Sequence, residues 1–130
     1  MEEIEWKNDY LLGNKLIDKQ HQIFAGLINK LIVAQNNNRD THYLTRLIME
    51  IQKYAEFHFI SEENYMIDIE YPALAEHQQQ HIMLIEQFSI AINSIELGKK
   101  SLDDFAHFLL NWFKQHTINK DRLIVEFLQG

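Results

Sequence analysis

The sequence contains no cysteine, one proline and four glycines among 130 residues. Without cysteine the chain can form no disulfide, and iron–sulfur clusters, thiolate zinc sites and thiol catalysis are excluded. The scarcity of proline and glycine leaves few turns for a fold built from many short strands. These absences favour a helical protein, and the length fits a single domain.

Positive charge is also scarce in this chain. Lysine and arginine number 12 against 19 aspartates and glutamates, which gives a formal net charge of −7. Nucleic acids and anionic membrane surfaces bind basic patches, so we expect neither as a partner. The sequence has no apolar run of membrane-spanning length and begins without the features of a signal peptide, which predicts a cytoplasmic protein. Surface positions carry too few aromatic residues to name a subunit interface. The sequence leaves the oligomeric state open, with a monomer favoured.

Apolar residues recur at helical spacing in four long segments. We predict helices over about residues 18–37, 41–65, 73–96 and 102–118, with Asp18 as the cap of the first. An apolar N-terminal arm, residues 1–14, precedes the helices, and a short helical segment follows the fourth. Because short connections join the four helices, the predicted fold is all-α: an up-down-up-down antiparallel four-helix bundle.

Five histidines and one glutamate lie on the apolar stripes of these helices. They are His21, His58, Glu62, His77, His81 and His116. A single histidine on an apolar face is more often a hydrogen-bonded core residue than a metal ligand. In the predicted topology, however, all six residues lie at the same end of the bundle, where scattered core histidines would not be expected to converge. No lysine or arginine lies on the inner stripes to neutralise Glu62, so a metal cation is its natural counterion.

Asp121 follows His116 by five residues, which is about 140° around a regular helix. It reaches the same site only if the fourth helix ends, tightens or bulges near Ile118 to Lys120, and we predict that irregularity. Glu63 lies about 100° from Glu62 and is expected to be exposed, with a hydrogen bond to a histidine N–H as the alternative. The other two histidines lie off the inner stripes and are expected in solvent; they are His42 and His107.

Four sequence motifs carry these residues. They are I-D-K-Q-H at residues 17–21, H-F-I-S-E at 58–62, H-Q-Q-Q-H at 77–81 and H-x-x-x-x-D at 116–121. In this order the motifs resemble those of the haemerythrin family, and in particular its single-domain bacterial members, the bacteriohaemerythrins. The similarity extends from Trp6 to Asp121, nearly the whole chain. All seven ligand positions of the family find a match, which makes the resemblance specific.

The resemblance implies a non-haem centre of two iron ions. The ligands that it implies are His77, His81 and His116 for one iron, and His21 and His58 for the other. Glu62 and Asp121 would bridge the two irons beside an oxo or hydroxo group derived from solvent. The second iron would then be one ligand short, and dioxygen would bind at that vacancy. The donor types agree with this assignment, because imidazole and carboxylate without thiolate suit iron, manganese or zinc.

Five residues near these positions are candidates for the wall of the oxygen pocket: Phe24, Phe59, Trp112, Phe113 and Thr117. Aromatic residues at such spacing are equally well explained as plain core. Thr117 departs from the family, which commonly has an aliphatic residue at this position. If its hydroxyl faces the pocket, it could hydrogen-bond to the bound oxygen or speed autoxidation.

The function that the resemblance favours is reversible dioxygen binding, for storage or for delivery to an oxygen-consuming enzyme. The protein is not expected to be an enzyme itself. Two other classes of function stay open. The domain could sense oxygen or redox state through a separate partner, or it could store or detoxify iron or act as a di-iron peroxidase or oxidase.

Overall fold

Helices make up most of the structure, a computed structural model that describes residues 2–93 and 99–130. The α-helices are α1 (Lys15–Asn36), α2 (Thr41–Asp68), α3 (Leu74–Asn93), α4 (Lys99–Phe113) and α5 (Arg122–Gln129). A short 3₁₀ turn, Asn8–Tyr10, precedes α1, and a π-helical segment, Lys114–Lys120, joins α4 to α5. No strand occurs in these two ranges, and the predicted all-α class is confirmed.

The four long helices form the predicted bundle. Around the bundle α1 contacts α2, α2 contacts α3, α3 contacts α4, and α4 contacts α1. Only four residues separate α1 from α2 and five separate α2 from α3, so these neighbours run antiparallel. The start of α1, the end of α2, the start of α3 and the π-helical segment therefore meet at one end. Across the described residues, no helix has an apolar stretch long enough to cross a membrane.

The first helix begins earlier than the sequence predicted. It starts at Lys15, three residues before the expected boundary, because Asn14 is the N-cap and its side chain accepts a hydrogen bond from the Ile17 N–H at 3.1 Å. The prediction that Asp18 caps this helix is therefore wrong. Asp18 lies in the first turn, where its negative charge is favourable next to the unpaired N–H groups of the helix start.

Asp18 instead fastens the N-terminal arm to the bundle. Its carboxylate accepts hydrogen bonds from the backbone N–H of Leu12 at 2.6 Å and of Gly13 at 3.1 Å. Gly13 has a φ of 93°, a left-handed conformation that glycine adopts without strain. Further along the arm, the backbone N–H and carbonyl of Ile4 both hydrogen-bond to the side chain of Asn29. The arm is thus held against α1 at two points.

The other predicted boundaries also need correction. The second helix continues three residues past the expected end at 65, and the chain leaves it through Glu70, which has a φ of 56°. The third begins at Leu74, and its predicted end at 96 lies outside the described residues. The fourth begins at Lys99 and is α-helical only to Phe113, where the π-helical segment replaces the α-helix expected to continue to 118.

Apolar side chains fill the half of the bundle away from the meeting ends of the helices. Phe88 of α3 is completely buried, and its ring packs edge-on against that of Phe105 of α4, with 5.1 Å between the centroids. A second, smaller apolar cluster lies on the other side of the polar residues; it consists of Leu12, Ile17, Met66, Tyr71 and Ile124. The histidines and carboxylates at the meeting ends of the helices, called the polar layer below, are therefore enclosed between two apolar clusters.

The Phe88→Ala substitution tests the structural role of the larger cluster. We expect it to lower the free energy of unfolding of the metal-free protein by about 3–5 kcal/mol, because it removes a fully buried ring and leaves a cavity. The measurement is chemical denaturation followed by circular dichroism. The control is Met83→Ala on the same helix, where the side chain is 62% exposed and the expected change is within about 0.5 kcal/mol. Equal effects of the two substitutions would contradict this account of the core.

Candidate metal centre

Seven polar side chains lie together at the end of the bundle where the helices meet, and each residue is at most 4% exposed. They are the seven residues that the sequence indicated: His21, His58, Glu62, His77, His81, His116 and Asp121. One comes from α1, two from α2, two from α3, one from the π-helical segment and one from the residue that follows it. Residues separated by up to 100 positions in the chain thus share one buried layer.

The carboxylate of Glu62 lies between histidines from three helices. Its Oε2 atom is 2.9 Å from Nε2 of His21 and 3.4 Å from Nε2 of His58. Its other oxygen, Oε1, is 3.2 Å from Nε2 of His81. The two oxygens of this carboxylate therefore face two different groups of histidines.

Asp121 repeats this arrangement from the opposite side of the layer. Its Oδ2 atom is 3.3 Å from Nε2 of His21. Its Oδ1 atom is 3.0 Å from Nε2 of His77 and 3.6 Å from Nε2 of His116. In both carboxylates, one oxygen faces His21 of α1, and the other faces a histidine of α3.

The π-helical segment explains how Asp121 reaches the site. The backbone N–H of Asp121 donates to the carbonyl of His116 at 3.0 Å, a hydrogen bond that spans five residues instead of the usual four. The wider turn brings the two side chains to the same face, whereas a regular α-helix would separate them by about 140°. The predicted irregularity is confirmed, although it begins at Lys114, before the predicted position.

The donor atoms fit metal cations. One atom each of His21, His58 and Glu62 lie within 4.8 Å of one another, and Glu62 is also part of a second such group with His77, His116 and Asp121. Oε1 of Glu62 and Oδ2 of Asp121 accept no well-aligned hydrogen bond despite complete burial. Buried carboxylates in this condition require compensating positive charge, which a cation on each side would supply.

The spacing between the ring nitrogens of two histidines also fits a shared metal ion. Nε2 of His81 and Nε2 of His116 are only 3.1 Å apart. Two nitrogens that bind one metal at right angles, each at a metal–nitrogen distance near 2.1 Å, would be separated by about 3.0 Å. This spacing, with nitrogen and oxygen donors and no sulfur, suits a borderline transition metal such as iron, manganese or zinc.

Two of the histidines are held by hydrogen bonds at their outer nitrogen. Nδ1–H of His58 donates to Oε1 of Gln20, and Nδ1–H of His81 donates to Oε2 of Glu63, both at 2.9 Å. The expectation that Glu63 is exposed is wrong, because its side chain is only 21% exposed, and the alternative of a hydrogen bond to a histidine is realised. Such contacts fix the ring orientation and leave Nε2 free to bind metal.

Gln20 was missed by the sequence analysis. Its side chain is buried. The sequence feature that could have indicated this burial is its position on the apolar stripe of α1, three residues after Ile17 and four before Phe24. The two histidines that were expected in solvent, His42 and His107, are exposed.

The four predicted aromatic residues lie together on one side of the histidines. The ring of Phe59 stacks on His81 with 3.9 Å between centroids, and the ring of Trp112 stacks on His116 at 4.4 Å. Behind them lie the buried rings of Phe24 and Phe113, at 5.5 Å from each other, and Phe24 also contacts Phe59. Aromatic surface therefore covers one side of the polar layer.

Thr117 has a different environment from these aromatic residues. It is buried and lines a cavity of about 140 Å³ beneath the N-terminal arm, together with Tyr10, Arg122 and Val125. None of the four aromatic residues lines this cavity. A role for the Thr117 hydroxyl in an oxygen pocket stays a prediction.

The histidines of the layer differ in their affinity for protons. Burial by itself lowers the pKa of His21, but its contacts with the carboxylates of Asp121 and Glu62 outweigh burial and raise the pKa to about 10. Burial dominates at His116 and lowers its pKa to about 4. Burial opposes ionisation of Glu62, yet its contacts with His21 and two other histidines hold its pKa well below the usual value. The layer thus keeps its carboxylates negative and attracts positive charge to its centre.

Comparisons with known proteins agree with this geometry. A family model described as "Hemerythrin HHE cation binding domain" matches residues 12–128. The chain is 31% identical over 126 residues to the bacteriohemerythrin of Clostridium acetobutylicum, which covers 93% of this chain and 98% of that protein. It is 28% identical to the bacteriohemerythrin of Pseudomonas aeruginosa, over 93% of this chain and 78% of the relative. The corresponding values for the bacteriohemerythrin of Campylobacter jejuni are 24%, 91% and 90%.

The pKa values of two histidines predict how metal-free protein responds to pH. Unfolding returns His116 from a pKa of about 4 to its ordinary value of 6.5, so the unfolded chain binds more protons and stability falls as the pH drops through this window. Unfolding lowers the pKa of His21 from about 10 to 6.5, so its stabilising contribution is complete below pH 6.5 and is lost as the pH rises towards 10.

We therefore expect the melting temperature of metal-free protein to be highest near pH 6.5 and to decline on both sides. Calorimetry in chelator-treated buffers from pH 4 to 10 measures this. The matched control is His107→Gln, which removes an exposed histidine outside the layer and should leave the profile unchanged. A melting temperature that stays level across the whole range would contradict the electrostatic description of the layer.

Proposed function

Since the chain belongs to the haemerythrin family, we propose that it holds two iron ions and binds dioxygen reversibly. The proposed role is oxygen storage, or oxygen delivery to an oxygen-consuming enzyme. One iron would be bound by His77, His81 and His116, and the other by His21 and His58. Glu62 and Asp121 would bridge the pair. A cytoplasmic location and a monomeric state are predictions from the sequence alone.

The observation that carries this proposal is the position of the two carboxylates. Each has one oxygen next to His21 of α1 and the other next to a histidine of α3, either His81 or His77. A carboxylate placed in this way can bind one cation with each oxygen. A site for a single cation would not need two carboxylates that both span the two groups of histidines.

The two groups of histidines differ in number, which supports binding of a small ligand on one side. Three imidazoles converge on one side of the carboxylates and two on the other. The side of His21 and His58 therefore offers fewer protein donors, and a small molecule could take the remaining position. A ferrous pair, when bound, would supply the two electrons that reversible dioxygen binding requires.

The composition of the donor set favours a carrier over an oxidase. Five of the seven donors are neutral imidazoles and only two are carboxylates, whereas ferritin-like di-iron sites are built mainly from glutamates. Fewer anionic donors stabilise high oxidation states less. The rings of Phe24, Phe59 and Phe113 also exclude water from one side of the layer, which protects a reversible reaction from proton transfer.

Iron loading followed by cycles of oxygenation tests the proposal. We expect the anaerobic protein to bind two ferrous ions per chain, to develop visible charge-transfer bands on exposure to air, and to lose these bands on degassing. Repeated cycles should give the same amplitude. Rapid irreversible conversion with consumption of an added reductant would indicate an oxidase or peroxidase, and uptake of many irons per chain would indicate storage; either result would contradict the proposal.

The substitution Glu62→Gln tests the bridging role more directly. The two side chains have the same shape, but the amide lacks the negative charge and has only one oxygen, so we expect at least a tenfold loss of affinity for the second iron. Metal analysis after equilibrium dialysis gives the stoichiometry. The control is Glu56→Gln on the same helix. Glu56 lies outside the layer, so this variant should still bind two irons. Two tightly bound irons in Glu62→Gln would rule out the bridge.

A further inference from the structure

The outer nitrogens of His58 and His81 have different partners on the two sides of the carboxylates. Nδ1–H of His58 donates to the neutral amide oxygen of Gln20, and Nδ1–H of His81 donates to the carboxylate of Glu63. Both hydrogen bonds are 2.9 Å long. The two contacts therefore differ in the charge of the acceptor and not in their length.

The charge of such an acceptor changes how strongly a histidine donates to a metal. A carboxylate that accepts the Nδ1–H proton draws that proton towards itself and leaves more electron density at Nε2. A charge-assisted hydrogen bond of this kind is about twice as strong as a neutral one. A more electron-rich nitrogen stabilises the higher oxidation state of the metal that it binds.

The helix α2 holds the ring of His81 from several directions. Phe59 stacks on the ring face, Glu62 faces Nε2, and Glu63 accepts from Nδ1. These three residues follow one another at i, i+3 and i+4, so they share one face of α2. The ring therefore cannot rotate away from Glu63 without losing its other contacts.

The surroundings of Glu63 preserve the effect of its charge. Its side chain lines a groove of about 280 Å³ between α2 and α3, next to the apolar side chains of Ile60, Ile82 and Ile85. Because the Glu63 side chain is only 21% exposed, water screens its charge less than it would screen a fully exposed carboxylate.

Gln20 is buried although one of its side-chain polar atoms is unpaired. Its side-chain Nε2 has no hydrogen-bond partner, although the residue is only 3% exposed. Burial of an amide group without a hydrogen-bond partner is unfavourable. The hydrogen bond that its Oε1 accepts from His58 is the interaction that Gln20 gains in this position.

We propose that Glu63 and Gln20 are positioning residues that make the two metal positions electronically unequal. Glu63 stabilises the oxidised metal at the position of His77, His81 and His116. Gln20 fixes the ring of His58 without adding charge, so the other position stays easier to keep in the ferrous state. This inference rests on the proposed di-iron function.

Reduction potentials of iron-loaded variants test the inference. We expect Glu63→Gln, which keeps a hydrogen-bond acceptor but removes the charge, to shift the ratio of ferrous to ferric iron at a fixed potential at least tenfold towards ferrous, equivalent to about 59 mV for one electron. We expect Gln20→Glu to shift the ratio towards ferric. Spectroelectrochemical titration under argon measures both shifts without dioxygen. If Glu63→Gln fails to fold, Gln20→Glu measures the same effect with the opposite sign.

A matched control separates the hydrogen bond from the general effect of charge. Glu86→Gln removes a carboxylate from the same groove, five residues after His81, and should shift the ratio much less. Equal shifts in Glu63→Gln and Glu86→Gln, or no shift in either, would overturn the inference.

The outcomes distinguish this inference from the proposed function. If the wild type binds two irons and dioxygen but the charge swaps leave the potentials unchanged, only the inference fails. If the swaps shift the potentials as expected but the wild type does not bind dioxygen reversibly, only the function fails. If the wild type does not bind two irons, both fail.

Discussion

Two buried carboxylates with imidazole nitrogens on both sides form the interaction on which the rest of the structure depends. Ionised carboxylates are stable in a protein interior only with compensating charge and hydrogen bonds. Glu62 and Asp121 obtain these from five histidines, and the histidines come from every part of the bundle that reaches this end. The π-helical segment follows from the same requirement, because a regular helix would turn Asp121 away from the layer.

Different parts of the bundle provide its stability and its metal-binding side chains. Its larger apolar cluster fills one half and supplies the burial that holds the helices together. The smaller cluster and the fastened N-terminal arm close the other side of the polar layer. Between them, seven side chains that would repel or desolvate one another are held at contact distance. Metal binding at such a layer contributes to folding free energy, so the loaded and metal-free proteins should differ in stability as well as in chemistry.

The sequence predicted the bundle and six of the seven clustered residues because both depend on periodicity. Histidines four residues apart on an apolar stripe must share a face, and short connections determine which helix ends meet. The five-residue spacing from His116 to Asp121 predicted an irregular turn, although the turn begins earlier than expected, at Lys114. These inferences need no knowledge of side-chain packing.

The details that the sequence analysis missed all depend on local competition between side chains. Asn14 and Asp18 are both suitable helix caps, and only the path of the arm decides that Asn14 takes this role. Glu63 is on the flank of α2, and its burial depends on how closely α3 approaches. Gln20 is polar, and the stripe of α1 gave no reason to expect that its amide would meet His58.

The most direct test of the central claim is anomalous diffraction at the iron edge from crystals of the iron-loaded protein. The account predicts two peaks of similar height within the polar layer, one on each side of the carboxylates of Glu62 and Asp121. A single peak, or two peaks that are not separated by these carboxylates, would contradict it.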